Sequence, residues 1–326
     1  MTLTPQQNKF LDAATAIQLD RSTITDAAFI ATQLVQATLP HSDPKADTWT
    51  RRNGNFTLGI QAGFNHETEK SYGLPYGSLP RLVLLWINTE AVKTKSRRLE
   101  LGSSLAQFMR QLDLDPSHGG KRGDAQRLHK QMQRLFHAKI SFIISQTTNN
   151  EQHGRASIDM QVAPKSQFWW NLKDREQGTL WNSWIELGED FYNSIISWPI
   201  PVDLRAIKAL KHSPLAIDLY QLLCRESQRV QKTGKTRLIP WRSLMQQVGA
   251  NYTGEDAAKN FARKVRKELR AVQNVMPTLK LELVDGGFTI LEGSTPPIES
   301  RATSRIQKAT ARHAETVHHH DQLSDK

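Results

Sequence analysis

The chain has 326 residues, enough for about two ordinary domains, and 43 Lys and Arg against 32 Asp and Glu give a formal net charge of +11. This excess of positive charge indicates a polyanionic partner, either nucleic acid or an anionic membrane surface. A membrane is the weaker alternative, because the longest apolar run (residues 82–87) is too short to cross a bilayer and no signal-peptide pattern occurs. The single cysteine, Cys224, excludes an internal disulfide framework. We therefore expect a cytoplasmic protein, not bound to membranes, with Cys224 as a buried thiol.

Residues 1–45 show two modest helical patterns, one around Phe10 and Ile17 and one around Ile30 and Leu34. Prolines 40 and 44 then interrupt the chain. We expect a small N-terminal helical extension that serves in partner binding or oligomerisation. A strand is expected at residues 56–60, where apolar residues alternate.

The next part of the chain predicts a helix from residue 81, a short strand at 99–101 and a helix capped by Ser104. After a turn at 115–123, a basic helix follows from 124 to 137. Its apolar side chains share one face, and Arg127, Lys130 and Arg134 share another. A hairpin is expected over residues 140–162.

A similar succession occurs from residue 204, with two leading helices, a short strand at 237–241, a short helix to 249 and a long basic helix ending near 274. Phe261, Val265, Leu269 and Val272 recur every three or four residues and form one apolar stripe. The opposite side carries Lys259, Arg263, Arg266, Lys267 and Arg270. Two strands closed by the turn at 285–287 would be a wing.

Two such successions predict an α+β fold made of tandem winged-helix domains, each a helix-turn-helix plus a β-hairpin wing. The expected divisions are an N-terminal helical extension at 1–45, a first winged-helix domain at 46–198, a second at 199–293 and a disordered tail at 294–326. The junction is placed at residues 198–201, where two prolines stiffen the backbone. The polar composition of the tail, His318–His320 included, favours a solvated segment over a metal site.

Four tryptophans (Trp169, Trp170, Trp181 and Trp184) lie between the two units. Their surroundings alternate like a pair of strands that would extend the first domain. Base stacking is the sharper interpretation, but packing is the commoner role of such residues.

No catalytic motif is present. Residues 119–123 are rich in glycine and include Lys121 and Arg122, but they lack the spacing that cradles nucleotide phosphates. As the turn of a helix-turn-helix, they would place backbone amides and two cations on a DNA phosphate. We therefore expect no catalytic residue, no metal and no cofactor, and a protein that is not an enzyme.

Several segments resemble the plasmid-encoded RepA replication initiators of the IncW type. The likeness is carried by residues 73–82, 101–110 and 119–136, by the central tryptophans and by residues 199–203, and it covers roughly 70 to 290. The resemblance implies a protein that binds direct repeats (iterons) in the duplex DNA of a plasmid origin and helps to open it. It also implies monomer and dimer forms, the dimer repressing its own gene, and contact with host DnaA and the DnaB helicase.

Helical geometry, and not the resemblance, selects the candidate DNA-binding residues: Lys121, Arg122, Arg127, Lys130, Arg134, Lys259, Arg263, Arg266, Lys267 and Arg270. We expect the two basic helices to enter successive major grooves. Two alternatives stay open at this point. One is a transcriptional repressor without an initiator role, and the other is an origin nickase that acts through a tyrosine.

Overall fold

The computed structural model describes residues 3–117, 123–147, 153–167, 183–249, 252 and 254–298. Within these ranges the α-helices are α1 (Pro5–Leu19), α2 (Thr32–Gln36), α3 (Ser78–Thr94), α4 (Leu105–Gln111), α5 (Asp124–His137), α6 (Glu189–Ser197), α7 (Leu204–Leu210), α8 (Pro214–Thr233), α9 (Trp241–Val248) and α10 (Ala257–Val275). The strands are β1 (Ala27–Ala31), β2 (Thr48–Asn53), β3 (Phe56–Gln61), β4 (Phe64–Asn65), β5 (Lys70–Ser71), β6 (Arg98–Glu100), β7 (Lys139–Thr147), β8 (His153–Gln161), β9 (Lys165–Gln167), β10 (Trp184–Glu186), β11 (Pro199–Asp203), β12 (Arg237–Pro240), β13 (Leu281–Val284) and β14 (Gly287–Ile290). This mixture of helices and antiparallel strands confirms the predicted α+β class.

Several helices begin where the sequence offers a hydroxyl to the free N–H groups of the first turn. The Ser104 hydroxyl accepts a hydrogen bond from the backbone N–H of Gln107 (3.1 Å), which confirms the predicted cap of α4. In the same way, Ser213 caps α8. That helix ends at Gly234, whose left-handed φ of +64° is a conformation that glycine adopts without steric strain.

The predicted succession of helix, short strand, two helices and hairpin is present twice. It runs from α3 through β6, α4 and α5 to β7 and β8, and again from α8 through β12, α9 and α10 to β13 and β14. The two copies differ in how their strands pair. In the second, β12 joins the hairpin to make a sheet of order β12-β14-β13. In the first, β6 pairs with β10, and the hairpin extends the strands β2 and β3 into a sheet of order β2-β3-β7-β8.

The N-terminal segment is only in part the helical element that the sequence predicted, with Leu34 in the short helix α2 as expected. The helix α1 forms as expected, but Ile30 lies in a strand, β1, which pairs along its whole length with β11. Every residue of β1 is buried, and the strand also packs against α3. The helical period was misread because a fully buried strand shows no alternation of apolar and polar residues.

The stiff junction expected at residues 198–201 is also part of this pairing. Residues Pro199–Asp203 form β11, and Pro201 lies opposite Phe29. Both prolines fit because β11 has only one hydrogen-bonded neighbour in the described part of the chain, so the missing N–H groups interrupt no second ladder. The division into domains at 45, 198 and 293 stays a prediction.

The predicted disordered tail and the predicted strands near the tryptophans both lie only in part within the described residues. The segment from residue 294 is ordered at its start, because the Ser294 hydroxyl donates to the carbonyl of Lys280 (3.0 Å) and Ile298 is buried. The rest of the predicted tail, 299–326, lies outside the described residues. At the two ends of the stretch with the tryptophans, β9 and β10 pair antiparallel, and residues 168–182 between them lie outside the described residues. Trp184 lies in β10, whereas the other three tryptophans lie outside the described residues.

A buried ionic group lies between the two successions. The Arg81 guanidinium donates to both carboxylate oxygens of Asp218, at 2.7 and 2.8 Å, and to the carbonyls of Leu39, Pro40 and Gly77. His41 Nε2 lies 2.8 Å from the same carboxylate. Because Arg81 is on α3 and Asp218 is on α8, this pair ties the leading helices of the two successions together.

Cys224 also lies on α8, where it is completely buried, as predicted. Burial raises the pKa of its thiol, which therefore stays protonated and unreactive at neutral pH.

Candidate nucleic-acid interface

The long basic helix α10 is divided into an apolar face and a charged face. Phe261, Val265, Leu269 and Val272 are buried, as the sequence predicted. They pack against the neighbouring helices, chiefly α8. The helix starts after Asp256 and ends at Val275, two residues before Pro277, again as predicted. Periodicity alone was sufficient here because a helix at the surface of a core must bury one stripe and expose the other.

The charged face of α10 points to solvent. All the predicted cations on this helix are exposed: Lys259, Arg263, Arg266, Lys267 and Arg270. Among the described residues, no carboxylate oxygen lies within 4.0 Å of any of them. Arg263 donates to the Asn260 side-chain oxygen (3.0 Å), and the Arg266 guanidinium lies over the Trp241 ring, 5.2 Å from its centre. These contacts are local, so the charges remain available to a polyanion.

The hairpin β13–β14 lies beside this helix in the sequence and closes with the predicted turn at Asp285 and Gly286. Gly286 has a φ of +75°, a conformation that glycine adopts without steric strain. At Gly287 a Cβ atom would lie 2.4 Å from the carbonyl oxygen of Ile239. Only glycine therefore lets β14 approach β12 this closely.

The first basic helix, α5, exposes a smaller positive surface than the sequence predicted. Arg127 and Lys130 are exposed, and Arg127 pairs with Asp124 one turn earlier (3.2 Å). Lys121 and Arg122 lie outside the described residues. Of the predicted cations in the described part of this region, Arg127 and Lys130 therefore lie at the surface.

Arg134 is the clear correction. It is 8% exposed, its Nη1 donates to the carbonyl of Leu74 (3.0 Å) and to Asp43 (3.2 Å), and its guanidinium lies over the Tyr76 ring. The chain before α3 folds over the C-terminal end of α5, and this covers a position that helical geometry assigns to the exposed face. Gly73 makes room for the guanidinium. We therefore remove Arg134 from the candidate DNA-binding set.

A cleft of about 1110 Å³ lies between α1, α5 and α7. Its lining includes Lys9 of α1, Arg127 and Lys130 of α5 and Lys208 of α7, and its cationic side chains outnumber the acidic ones by seven to three. The exposed cations of α5 therefore line a half-open basic cleft, whereas those of α10 lie on an exposed helix face.

Histidines add little to the charge of this region at neutral pH. Burial lowers the pKa of His129 on α5. Burial and the neighbouring Lys211 lower the pKa of His212, which lines the cleft, with Asp113 and Asp124 acting in the opposite direction. Both groups are therefore mainly neutral at pH 7, so the positive charge beside them comes from lysine and arginine.

The pattern that defines plasmid-encoded RepA protein matches residues 74–243, which is more than half of the chain. The chain belongs to the plasmid-encoded RepA protein family. The matched range contains α5 but ends just inside α9, so the most basic helix of this RepA family member, α10, lies beyond it. No protein with a curated description matches the chain.

Two solved structures of RctB are similar to this RepA chain. A selenomethionine crystal structure of RctB domains 2 and 3 has a TM-score of 0.48 and 11% sequence identity, and the match covers 82% of this chain and 97% of that one. A second structure of RctB domains 2–3 has a TM-score of 0.43 and 12% identity, with 80% and 97% covered.

Sequence reasoning missed several cations that the structure places at the surface of this RepA. Lys264 and Arg242 are exposed on α10 and α9. Lys264 could have been found, because it lies only about 100° from Arg263 around the helix. Lys9 and Lys208 could not, because only the fold brings α1 and α7 next to α5.

Within the described residues, no group of three or more His, Cys, Asp or Glu side chains is arranged to hold a metal ion. No described helix combines the length and the apolar character needed to span a membrane.

Proposed function

We propose that this RepA is a plasmid replication initiator that binds iterons in origin DNA, promotes opening of the duplex and represses its own gene, without catalysing a reaction. Family membership supports the initiator role. The observation that carries DNA binding is the charged face of α10, whose cations are exposed and without carboxylate partners in the described part of the chain. An α-helix of about 10–12 Å diameter fits a major groove about 12 Å wide.

We propose a winged-helix role for both successions. In the second, α9 and α10 are the helix-turn-helix and β13–β14 is the wing. In the first, α4 and α5 are the helix-turn-helix and β7–β8 is the corresponding hairpin. Two such units on one side of the duplex would cover about two helical turns, or roughly 20 base pairs. Arginines of α10 would read guanine O6 and N7, and the lysines would neutralise phosphates.

The first prediction concerns salt. In gel-shift titrations on DNA flanking the gene, affinity is expected to fall about 10³- to 10⁵-fold between 50 and 200 mM salt, as for about six to ten phosphate contacts. Lys259→Ala and Lys267→Ala should each lower the slope of log K against log salt by about 1 and weaken repeat and random DNA equally. Lys93→Ala, on the exposed end of α3, is the control and should leave the slope unchanged. Affinity independent of salt would reject DNA binding through this face.

Experiments on the same origin DNA distinguish an initiator from a dedicated repressor and from a nickase. A repressor without an initiator role would change transcription but would not be required for replication of the origin in a host that lacks the protein. A nickase would convert supercoiled origin DNA, with a divalent metal ion, into relaxed or covalently linked product. We expect replication to depend on the protein and the supercoiled DNA to stay intact.

We also propose that the dimer forms through β8. In the described part of the chain this strand is the outer edge of its sheet, and Ile144 and Ile158 near the end of the hairpin are 41% and 51% exposed. If two copies pair antiparallel about Ser157, then Arg155 lies opposite Asp159 of the second copy and Ala156 lies opposite Ile158. Such a strand complements itself, as a two-fold interface requires.

The second prediction tests this pairing. Arg155→Asp places two acidic residues opposite each other twice, and the dimer should dissociate at least about tenfold more readily because like charges across strands repel. Adding Asp159→Arg together with Lys139→Asp restores opposite charges between the copies and replaces the Lys139–Asp159 pair (3.2 Å) by its reverse, and this should restore the dimer, as measured by sedimentation equilibrium. Arg52→Asp, on the strand at the other edge of the sheet, is the control. A dimer unaffected by Arg155→Asp would show that another surface is used.

A further inference from the structure

We propose that three residues, the N-terminal clamp (Gln18, Val35 and Arg51), fix the orientation of α10 relative to α5 and thereby make the protein selective for the spacing between its two DNA segments. This inference rests on the proposed function, because it assumes that both basic helices contact DNA. The proposed function alone does not determine whether the two helices act as a rigid pair or as independent binding units.

The first observation is that the clamp holds the helix-turn-helix of the second succession at both of its helices. Arg51 Nη1 donates to the carbonyl of Gln247 near the end of α9 (3.2 Å), and Gln247 Nε2 donates to the carbonyl of Val35 (2.6 Å). Gln18 Nε2 donates to the carbonyl of Asn274 in the last turn of α10 (3.1 Å). These bonds join residues that are 196, 212 and 256 positions apart in the chain.

The second observation is that β2, the strand that carries Arg51, is connected through its sheet to the first basic helix, α5. The helix α5 ends at His137, Ala138 is buried and β7 begins at Lys139. β7 pairs with β3, which in turn pairs with β2 over six residue pairs. A path of covalent and hydrogen-bonded contacts therefore runs from α5 through three strands to Arg51 and from Arg51 to α9, which packs against α10.

The third observation is the energetic cost of Arg51. It is 2% exposed, and its Nε and Nη2 have no hydrogen-bond partner among the described residues. Its guanidinium lies 4.8 Å from the centre of the Trp49 ring. Burial lowers its pKa to about 9, opposed in part by Asp218 and aided by Arg81. Burying an apolar side chain of similar volume would cost less free energy. This arginine therefore serves mainly to fix the position of α9 and adds little to the stability of the fold.

A fixed angle between two helices has a direct consequence on DNA. B-form DNA turns once in about 10–10.5 base pairs, so five inserted pairs move the second segment to the opposite side of the duplex. A rigid protein would then lose the contacts of one helix, whereas two independently mobile units would follow the DNA. Spacing selectivity therefore measures how rigidly α5 and α10 are joined, and the change of selectivity in clamp variants isolates the clamp from the Arg81–Asp218 pair.

The experiment uses the full chain and a series of origin-repeat duplexes with zero to five base pairs inserted between the two protected segments. For the unaltered chain, five inserted pairs should weaken binding at least about tenfold, the loss of about one specific contact or more. Arg51→Met keeps the side-chain volume but removes the bond to Gln247, and the penalty should fall below about threefold. Gln247→Ala removes the hydrogen bond from Gln247 Nε2 to the carbonyl of Val35 and should also lower the penalty.

The matched control is Arg52→Met, the exposed neighbour of Arg51 on β2, which should keep the full penalty. Urea unfolding of each variant shows whether it remains folded. If Arg51→Met does not fold, Gln247→Ala, which changes a half-buried position, takes its place as the test variant. An unaltered chain that binds specifically but ignores spacing, or folded clamp variants that keep the full penalty, would overturn the inference alone. An unaltered chain that binds no origin sequence would overturn the proposed function together with it.

Discussion

Replacing Arg263 and Arg266 with alanine is expected to abolish repeat-specific binding while the fold persists. Each bidentate contact of arginine to guanine discriminates by about 1–3 kcal/mol, so loss of both should weaken specific binding between about 30-fold and 20,000-fold. Both side chains are exposed, and the intramolecular contacts they lose, with Asn260 and with the Trp241 ring, are minor. Gel shifts on repeat and on random DNA measure the effect, and urea unfolding should change by less than about 1 kcal/mol.

Two companion variants separate charge from base reading. With Arg263→Lys and Arg266→Lys the charges remain but the planar fork is lost, so affinity for random DNA should be kept while discrimination disappears. Replacing Arg21 and Arg52 with alanine removes two exposed charges that do not belong to α10 and should keep specificity. If the double alanine variant still prefers repeat DNA, the reading surface lies on another face or another helix.

Asp218→Asn is expected to produce the largest loss of stability, about 3–5 kcal/mol in the free energy of unfolding. The substitution leaves the buried Arg81 guanidinium without its counter-charge, and an unpaired buried charge is strongly destabilising. Urea unfolding should show a lower midpoint with an unchanged slope. The control is Glu186→Gln, which breaks a more exposed pair with Lys165 and should cost about 1 kcal/mol or less.

The same carboxylate gives stability a defined pH dependence. Burial raises the pKa of Asp218, but the Arg81 charge and the hydrogen bonds from Arg81 and His41 outweigh burial and hold the pKa below its ordinary value. Burial lowers the pKa of His41, so the ring is neutral at pH 7 and must carry its proton on Nε2 to donate to a carboxylate. Asp218 therefore stabilises the fold fully above about pH 4, the unfolded pKa, and less as pH falls towards the folded pKa.

Asp218→Asn removes this contribution, so acid unfolding of the variant should begin from a lower stability and depend less on pH below about pH 4. An acid limb identical to that of the unaltered chain would mean that the buried pair does not control it.

The two basic helices explain how far sequence reasoning reached. α10 was predicted with its limits, its apolar stripe and its exposed cations, because its neighbours cover one side only. α5 was predicted with the same method and the same period, but Arg134 was misplaced. Its burial depends on Asp43 and Tyr76, which come from a part of the chain more than fifty residues earlier.

By itself, the sequence determined the α+β class, the two successions of elements, the charged face of α10 and the likeness to the plasmid-encoded RepA family. Those features depend on composition and on local periodicity, so they can be recognised without knowledge of the tertiary contacts. Only the tertiary structure decided that residues 27–31 are a strand, that β6 and β12 join different sheets and that Arg51 reaches α9. Each of these depends on residues far apart in the chain, and the free energy of burying them together outweighs local preference.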